Sequence, residues 1–337
     1  MEIHNYSAVK DPKIVVIGGG TGLSTMLRGL KKHTKNITAI VTVADDGGGS
    51  GVLRSELGMP PPGDIRNCIR SLANTEPTME SLLDYRFTEG SLKGQSFGNL
   101  FLAALNGMSD SFDQAVARMS DVLAITGRVL PVTNEDIQLV AEFDDGTEVL
   151  GESRISVYKK AKPDSIIRRV RLIPEQPVAL PASVRAIEEA EMIILGPGSL
   201  YTSIIPNLLT DGIAKAISTS DALRVYVLNI MTQDGETEGY AASDHIKALF
   251  THGNAKLFDF CLANNLSLPG DVLARYKKEG SEPTKIDLDE ITKLNVDVVM
   301  APVSDSKNSF ARHDPSALSR ELLRIFRSNS PTRIYSQ

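Results

Sequence analysis

The chain has 337 residues, of which 42% are hydrophobic and 23% are charged, and its formal net charge is -6. This composition is ordinary for a globular protein and excludes collagen-like, coiled-coil and disordered chains. The net acidity argues against a broad surface for nucleic acid or anionic membrane, so we expect no nucleic-acid partner. No apolar run reaches the roughly 20 residues of a membrane span, and the N-terminus lacks the apolar segment of a signal peptide. The two cysteines, Cys68 and Cys261, suit neither a disulfide framework nor a zinc site, which favours a cytoplasmic location.

Apolar, strand-like runs alternate with helical patterns along the chain. This alternation predicts an α/β, Rossmann-like fold: a mainly parallel sheet with helices on both faces. The first helix is predicted between strands at 13–17 and 37–43, because apolar residues follow the first strand at helical spacing. Further strands are predicted at 192–195, 225–229, 257–262 and 296–301, and helices are predicted to begin near Pro181, Ser243, Pro269 and Pro315.

The sequence predicts one domain, over 11–330. The residue pattern changes at about 128–173, where polar and apolar residues alternate around the pair Asp145-Gly146, the signal of a tight hairpin. We therefore expect a β-rich inserted subdomain at 128–173. The segments 1–10 and 328–337 are expected to be flexible tails.

A glycine-rich loop follows the first predicted strand and consists of Gly18, Gly19, Gly20, Thr21 and Gly22. Glycines allow the backbone to approach a ligand closely, and the N–H groups at the start of the next helix attract anions. The loop therefore predicts a site for phosphate or diphosphate. Neither register of the dinucleotide fingerprint is complete, and no Gly-Lys-Ser/Thr of a Walker A loop follows, so a glycine turn without a ligand stays an alternative.

The second loop, "ADDGGGSGVLRSE", carries Asp45 and Asp46, and the later segment "PPPGDIRN" adds Asp64. Magnesium is often held by one or two carboxylates together with phosphate oxygens. An acid after the second strand could also hold the ribose of a nicotinamide cofactor, or the aspartates could only shape a turn. These alternatives stay open at this point.

Three later loops also follow predicted strands, and they add further polar groups. Gly196, Gly198 and Ser199 predict a second anion-binding turn, and Asn229 is suited to fix a sugar or a base. Arg312, near the C-terminus, is predicted to recognise phosphate. His313 beside it is the one histidine considered for a site, since His245 and His252 are expected to be half solvated.

Six ordered blocks resemble the YvcK-like proteins, called gluconeogenesis factors, within the group that includes the 2-phospho-lactate transferases of coenzyme F420 synthesis. The resemblance covers nearly the whole chain from Lys13, with Gly49 standing where we expect serine. The blocks are "IGGGTGLSTMLRGL", "TVADDGGGSGVLRSELGMPPPGDIRNC", "GQSFGNLFLAAL", "GRVLPVT", "LGPGSLYTSIIPNLL" and "NIMTQDGETEGY".

The resemblance implies a regulator that binds a UDP-sugar, such as UDP-N-acetylglucosamine or UDP-glucose, and links carbon metabolism to cell-wall synthesis and cell shape. It implies that Tyr276 and Arg312 contact this ligand, and Asn99 of the third block joins the expected ligand-binding residues. A homodimer and a protein partner in cell-wall regulation are further expectations. In the transferase branch, acids matching Asp45 and Asp64 serve magnesium and catalysis, although the surrounding sequence differs there.

Two enzymatic alternatives accompany this reading. One is a magnesium-dependent transferase of a phosphate-containing group, which could work by positioning and charge stabilisation and would use Asp45 and Asp64. The other is an NAD-dependent dehydrogenase, disfavoured by the incomplete fingerprint. No nucleophile elbow precedes a predicted helix, so covalent hydrolase chemistry is unsupported.

Overall fold

The computed structural model describes residues 11–305 and 310–329. The first part of the chain alternates strands and helices and then runs through several helices in succession. Its elements are β1 (Ile14–Gly18), α1 (Gly20–Leu30), β2 (Ile37–Val41), α2 (Gly48–Leu57), α3 (Gly63–Leu72), α4 (Pro77–Asp84), α5 (Phe97–Gly107), α6 (Phe112–Val122) and β3 (Arg128–Pro131).

The rest of the chain contains a small antiparallel sheet, then a second series of alternating strands and helices. Its elements are β4 (Gln138–Phe143), β5 (Glu148–Leu150), α7 (Glu152–Ala161), β6 (Ile167–Ile173), α8 (Pro181–Glu188), β7 (Met192–Leu195), a π-helical turn (Leu200–Ile204), α9 (Ile205–Leu208), α10 (Ile213–Thr219), β8 (Leu223–Val227), α11 (Ala242–Gly253), β9 (Phe260–Asn264), α12 (Gly270–Lys278), α13 (Leu288–Lys293), β10 (Asp297–Ala301), β11 (Ser304–Asp305), β12 (Arg312–His313) and α14 (Pro315–Asn329).

Seven parallel strands form the central sheet in the order β10-β9-β8-β7-β1-β2-β3. The predicted α/β, Rossmann-like fold is therefore confirmed. The sheet grows in one direction from β1 to β3 and in the other from β7 to β10, so β1 and β7 lie side by side, with Ile17 opposite Leu195. Ligands of such sheets bind where the strand order reverses, outside the carboxyl ends of the strands. The glycine loops that follow β1 and β7 meet at this crevice.

The central strands are buried on both faces, which explains why they read as continuous apolar runs rather than alternating ones. Helix α1 lies where its spacing predicts, and Leu23, Met26, Leu27 and Leu30 are fully buried. A side chain at Gly29 would overlap the backbone of Pro315, so this glycine allows α1 and α14 to pack closely. The core thus fixes the start of α1 at the edge of the crevice.

The antiparallel sheet, in the order β5-β4-β6, forms the insertion together with α7. The predicted insertion at 128–173 includes one strand too many, because β3 pairs in parallel with β2 and closes the main sheet. The predicted hairpin is present: Gly146 has φ +80°, and the Asp145 carboxylate accepts a hydrogen bond from the Thr147 N–H at 2.9 Å.

Several local predictions are corrected by the structure. Helix α14 continues to Asn329, so 328–329 are helical, while 1–10 and 330–337 lie outside the described residues. His245 is fully buried and its Nδ1 lies 3.3 Å from the Tyr226 hydroxyl, so the prediction of a half-solvated side chain is wrong there. Within the described part of the chain, no helix has the length and apolar character needed to cross a membrane.

Candidate functional site

A cavity of about 730 Å³ lies at the carboxyl ends of β1, β7 and β8. It is lined by loops and helices that are far apart in the sequence, because parallel strands bring their following loops to one edge of the sheet. Eight of the residues singled out for ligand binding line it: Gly20, Thr21, Gly22, Gly198, Ser199, Asn229, Tyr276 and Arg312.

The first turn of α1 forms one wall of this cavity. Gly22 is packed so closely on the neighbouring loop that an added Cβ would lie 2.6 Å from the Pro197 carbonyl oxygen. The N–H groups of a first helical turn have no acceptor within the helix, and they carry partial positive charge. The exposed Thr21 and half-buried Gly22 therefore present an anion-attracting surface to the cavity.

The turn after β7 has fewer backbone N–H groups available to a ligand than the sequence suggests. Asn229 holds Gly198 by both of its amide atoms: its Nδ2 donates to the Gly198 carbonyl at 2.8 Å, and its Oδ1 accepts from the Gly198 N–H at 3.3 Å. Further along the chain, the N–H groups of Tyr201 and Thr202 donate to the Glu236 carboxylate at 2.6 and 3.1 Å. The amides of Gly198, Tyr201 and Thr202 are therefore satisfied within the protein and do not add to the anion-attracting backbone of α1.

Tyr276 and Arg312 meet at another wall. The Tyr276 hydroxyl accepts a hydrogen bond from the Ala311 N–H at 3.2 Å, and the Arg312 guanidinium carbon lies 5.1 Å from the centre of the Phe310 ring. Across 11–305 and 310–329, no carboxylate forms an ion pair with Arg312. An exposed, unpaired guanidinium facing a cavity is suited to bind an anionic ligand.

His313 also lines the cavity, next to Arg312. Burial lowers the pKa of His313 to about 4, so its imidazole is neutral at neutral pH. Its Nε2 is enclosed and without a hydrogen-bond partner. His313 therefore adds a neutral wall beside the charged arginine.

The insertion contributes a residue that the sequence analysis missed. Lys160 of α7 lines the cavity, and its Nζ lies 2.8 Å from the Asp234 carboxylate. No local signal could have revealed this residue, because its placement depends on how α7 packs against a loop 70 residues later. Other lining residues that were missed are Thr25, Ser203, Gln233 and Glu279.

The two adjacent acids of the second loop have different partners. Asp46 accepts a hydrogen bond from the Ser153 N–H at 2.8 Å, so it caps the N-terminus of α7 and holds the insertion. Asp45 accepts from the Gly47 N–H at 2.8 Å, and burial raises its pKa. Asp45 therefore belongs to a cluster of partly buried acids, and Asp46, although it caps α7, also acts on Glu152 of this cluster.

That cluster also contains Asp64 and Glu152. Burial, together with the nearby charge of Asp45, raises the pKa of Asp64 to about 6. Burial raises the pKa of Glu152 to about 7, and Asp45 again adds to the effect. The Asp64 carboxylate lies directly against Gly19, where an added Cβ would come within 2.5 Å of Oδ2. The backbone N–H of Gly20 favours the charged form of Asp64 and so opposes the effect of burial on its pKa, which places part of the glycine loop against this acid.

Four of the residues predicted to bind a ligand lie outside the cavity lining. Gly18 ends the buried strand β1, Gly19 faces Asp64, and Gly196 provides the bend at φ +75°. Asn99 lies in α5, where its Oδ1 accepts from Arg66 at 3.3 Å and its Nδ2 donates to Ser50 at 3.4 Å. Asn99 thus belongs to a buried polar network near Asp45, and the structure does not bring it to the cavity.

The residues of this region offer a magnesium ion carboxylates but no complete set of protein ligands. Among the described residues, no group of three or more histidine, cysteine, aspartate or glutamate side chains is arranged to hold a metal ion. Asp45 and Asp64 still offer two mutually repelling carboxylates, which is the donor set that Mg²⁺ combines with phosphate oxygens. Neither acid lines the cavity, so the structure offers two carboxylates for a magnesium ion without bringing them to the proposed ligand.

Residues 14–304 match the family of the 2-phospho-L-lactate transferase CofD over most of the chain. The chain belongs to the CofD family. A crystal structure of a Bacillus halodurans protein is similar, with a TM-score of 0.90 and 44% identity over 93% of this chain and 100% of that chain.

Within the CofD family, the chain is similar to bacterial gluconeogenesis factors. A relative from Thermoanaerobacterium thermosulfurigenes is 55% identical over 319 residues, which is 95% of this chain and 98% of the relative. The gluconeogenesis factor of Bacillus subtilis is 47% identical over 304 residues, 90% of this chain and 94% of the relative. The resemblance seen in the six sequence blocks is therefore confirmed at the level of the family.

Proposed function

We propose that this protein is a cytoplasmic regulator that binds a UDP-sugar, such as UDP-N-acetylglucosamine or UDP-glucose, in the cavity at the crevice between β1 and β7. One observation carries the proposal: the first turn of α1, Tyr276 and Arg312 face the same cavity of about 730 Å³. A volume in this range suits a small organic ligand or nucleotide derivative. The helix N-terminus and the unpaired arginine supply attraction for a diphosphate, while Tyr276 offers a surface for a base or sugar.

The proposed binding is reversible and non-covalent, and its purpose is to report the supply of activated sugar. Similarity to bacterial gluconeogenesis factors supports a link to carbon metabolism. The further link to cell-wall synthesis and cell shape, through a protein partner, is part of the proposal. A homodimer is also part of it.

Isothermal titration calorimetry of the purified full chain tests the proposal directly. UDP-N-acetylglucosamine or UDP-glucose should bind with a stoichiometry near one per chain, while NADH should not bind. Absence of heat and of thermal stabilisation with every UDP-sugar tried would refute the proposal.

A second candidate function is a magnesium-dependent transfer of a phosphate-containing group. The family match and the buried pair Asp45 and Asp64 favour it. Asp45 and Asp64 would hold the ion, which would neutralise charge on a phosphate of the donor.

Turnover distinguishes the two functions. Incubation with magnesium, a nucleotide-linked donor and candidate acceptor alcohols should give a product that is lost in Asp45→Asn and Asp64→Asn if the protein is a transferase. Ligand binding that survives both substitutions, without product, supports the regulator. Folding of each variant is checked by thermal unfolding.

A further inference from the structure

The helix of the insertion forms part of the cavity wall. Lys160 lies near the C-terminal end of α7 and lines the cavity. It is far in the sequence from both α1 and Arg312, which also line the cavity. Its side chain is 55% exposed, so the ammonium group remains accessible from the cavity. The insertion thus brings a cation to a site that is otherwise built by the main sheet.

The position of Lys160 is fixed by the packing of α7 on the loop after β8. Gly235 has φ +83°, and an added Cβ would lie 3.0 Å from the backbone oxygen of Ser156. Beside this contact, the buried Lys159 lies 3.5 Å from the Glu238 carboxylate. These contacts hold two successive turns of α7 against the loop, so the backbone of Lys160 stays beside the cavity.

The partner of Lys160 is itself held in place. The Asp234 N–H donates to the Ser281 hydroxyl at 3.3 Å, and Gly280 packs against the Asp234 carboxylate. Asp234 accepts a single close contact from Lys160, at 2.8 Å. A lysine ammonium has three donors, so Lys160 retains donors for a second acceptor.

We infer that Lys160 is a ligand-binding residue, which donates hydrogen bonds from the insertion to an oxygen of the sugar-diphosphate part of the bound ligand while Asp234 orients it. The inference rests on the proposed function, because it concerns the same cavity and ligand class. It gives the insertion a role in recognition: α7 is capped by Asp46 at its start and presents Lys160 near its end. Because the Lys160 side chain is exposed to solvent, water screens this contact, and its contribution to affinity is moderate.

The chain offers a closely matched control in Lys162. Lys162 has the same exposure as Lys160, 55%, and is also paired with an aspartate, Asp145, at 3.3 Å, but it does not line the cavity. The titration compares wild type, Lys160→Gln, Lys160→Arg and Lys162→Gln with UDP-N-acetylglucosamine and with UDP. Lys160→Gln should weaken binding about two- to fivefold, while Lys160→Arg and Lys162→Gln should stay close to wild type.

The two probes locate the contact. Weakening with both UDP and UDP-N-acetylglucosamine means that Lys160 binds the diphosphate, and weakening with the sugar nucleotide alone means that it binds the sugar. Equal affinity of Lys160→Gln and Lys162→Gln for both probes overturns the inference while the proposed function stands. If wild type binds neither, the proposed function fails and the inference fails with it.

A double variant excludes an indirect effect of the charge left on Asp234. If Lys160→Gln weakened binding only because an unpaired Asp234 repels the ligand, then Lys160→Gln/Asp234→Asn would restore wild-type affinity, and the inference would be wrong. If Lys160 contacts the ligand itself, the double variant should bind as weakly as Lys160→Gln. Matching thermal unfolding of all variants confirms that the comparison is made on folded protein.

Discussion

The Tyr276 hydroxyl accepts a hydrogen bond from the backbone N–H of Ala311 at 3.2 Å, one residue before Arg312. The two residues proposed to contact the ligand are therefore joined by the main chain, although 35 positions separate Tyr276 from Ala311. Loss of one is expected to disturb the placement of the other.

Tyr276→Phe tests this connection, because it removes the hydroxyl and keeps the ring. We expect affinity for UDP-N-acetylglucosamine to fall about three- to tenfold, since the lost hydrogen bond is worth roughly 0.5–1.5 kcal/mol. Calorimetry of Tyr276→Phe and Arg312→Ala, alone and combined, measures the coupling. If the two losses simply add, Tyr276 does not act through the position of Arg312.

Arg312→Ala should weaken UDP-sugar binding about ten- to a hundredfold, because charge-assisted contacts contribute roughly 1.5–3 kcal/mol. Arg275→Ala is the matched control: its guanidinium carbon lies 4.1 Å from the centre of the same Phe310 ring, but Arg275 does not line the cavity. Arg275→Ala should bind almost as well as wild type. An equal effect of the two substitutions would point to loss of packing on Phe310 rather than to a ligand contact.

Gly22→Ala should separate α1 from the loop at Pro197, since the new Cβ would lie 2.6 Å from a backbone oxygen that cannot rotate away. We expect the free energy of unfolding to fall by about 1–3 kcal/mol, and ligand affinity to fall with it. Gly270→Ala is the control, because nothing lies within 4 Å of its added Cβ. Urea unfolding of both variants measures the difference; wild-type stability in Gly22→Ala would contradict the close approach.

The contribution of Glu236 to the stability of the protein should fall as the pH rises toward neutrality. Burial raises its pKa from 4.5 to about 7, even though the N–H groups of Tyr201 and Thr202 favour the charged form. The folded protein therefore holds this proton more tightly than the unfolded chain does. Its contribution to the free energy of unfolding falls between about pH 4.5 and pH 7, and the loss persists at higher pH.

Glu236→Gln removes this charge and retains an oxygen that can accept from Tyr201 and Thr202. We expect the variant to lose less stability than wild type between pH 5 and pH 8, by on the order of 1–3 kcal/mol. Part of the pH dependence should remain, because Glu152 also has a pKa of about 7. Urea unfolding at both pH values measures this, with the exposed Glu188→Gln as control; identical pH slopes in wild type and Glu236→Gln would contradict the assignment.

Most of the fold could be predicted from the sequence because its signals are local. The spacing of Leu23, Met26 and Leu27 determines a helix, and the buried strands read as apolar runs. The predicted bounds are displaced for two of them: β8 is Leu223–Val227 rather than 225–229, and β9 is Phe260–Asn264 rather than 257–262. The error at β3 has a physical reason. A short strand that joins a distant sheet looks the same, in sequence, as one that joins the hairpin beside it, and only its pairing with β2 distinguishes them.

The sequence by itself determined the family, the parallel sheet and the glycine loops at the carboxyl ends of its strands, since these follow from periodicity, glycine placement and motif order. The tertiary structure alone decided which polar groups remain available to a ligand. In the folded protein, Glu236 accepts hydrogen bonds from the amides of Tyr201 and Thr202, and Asn99 belongs to a separate polar network. Lys160 lies at the cavity. Such pairings join residues far apart in the chain, and they depend on packing that no local pattern records.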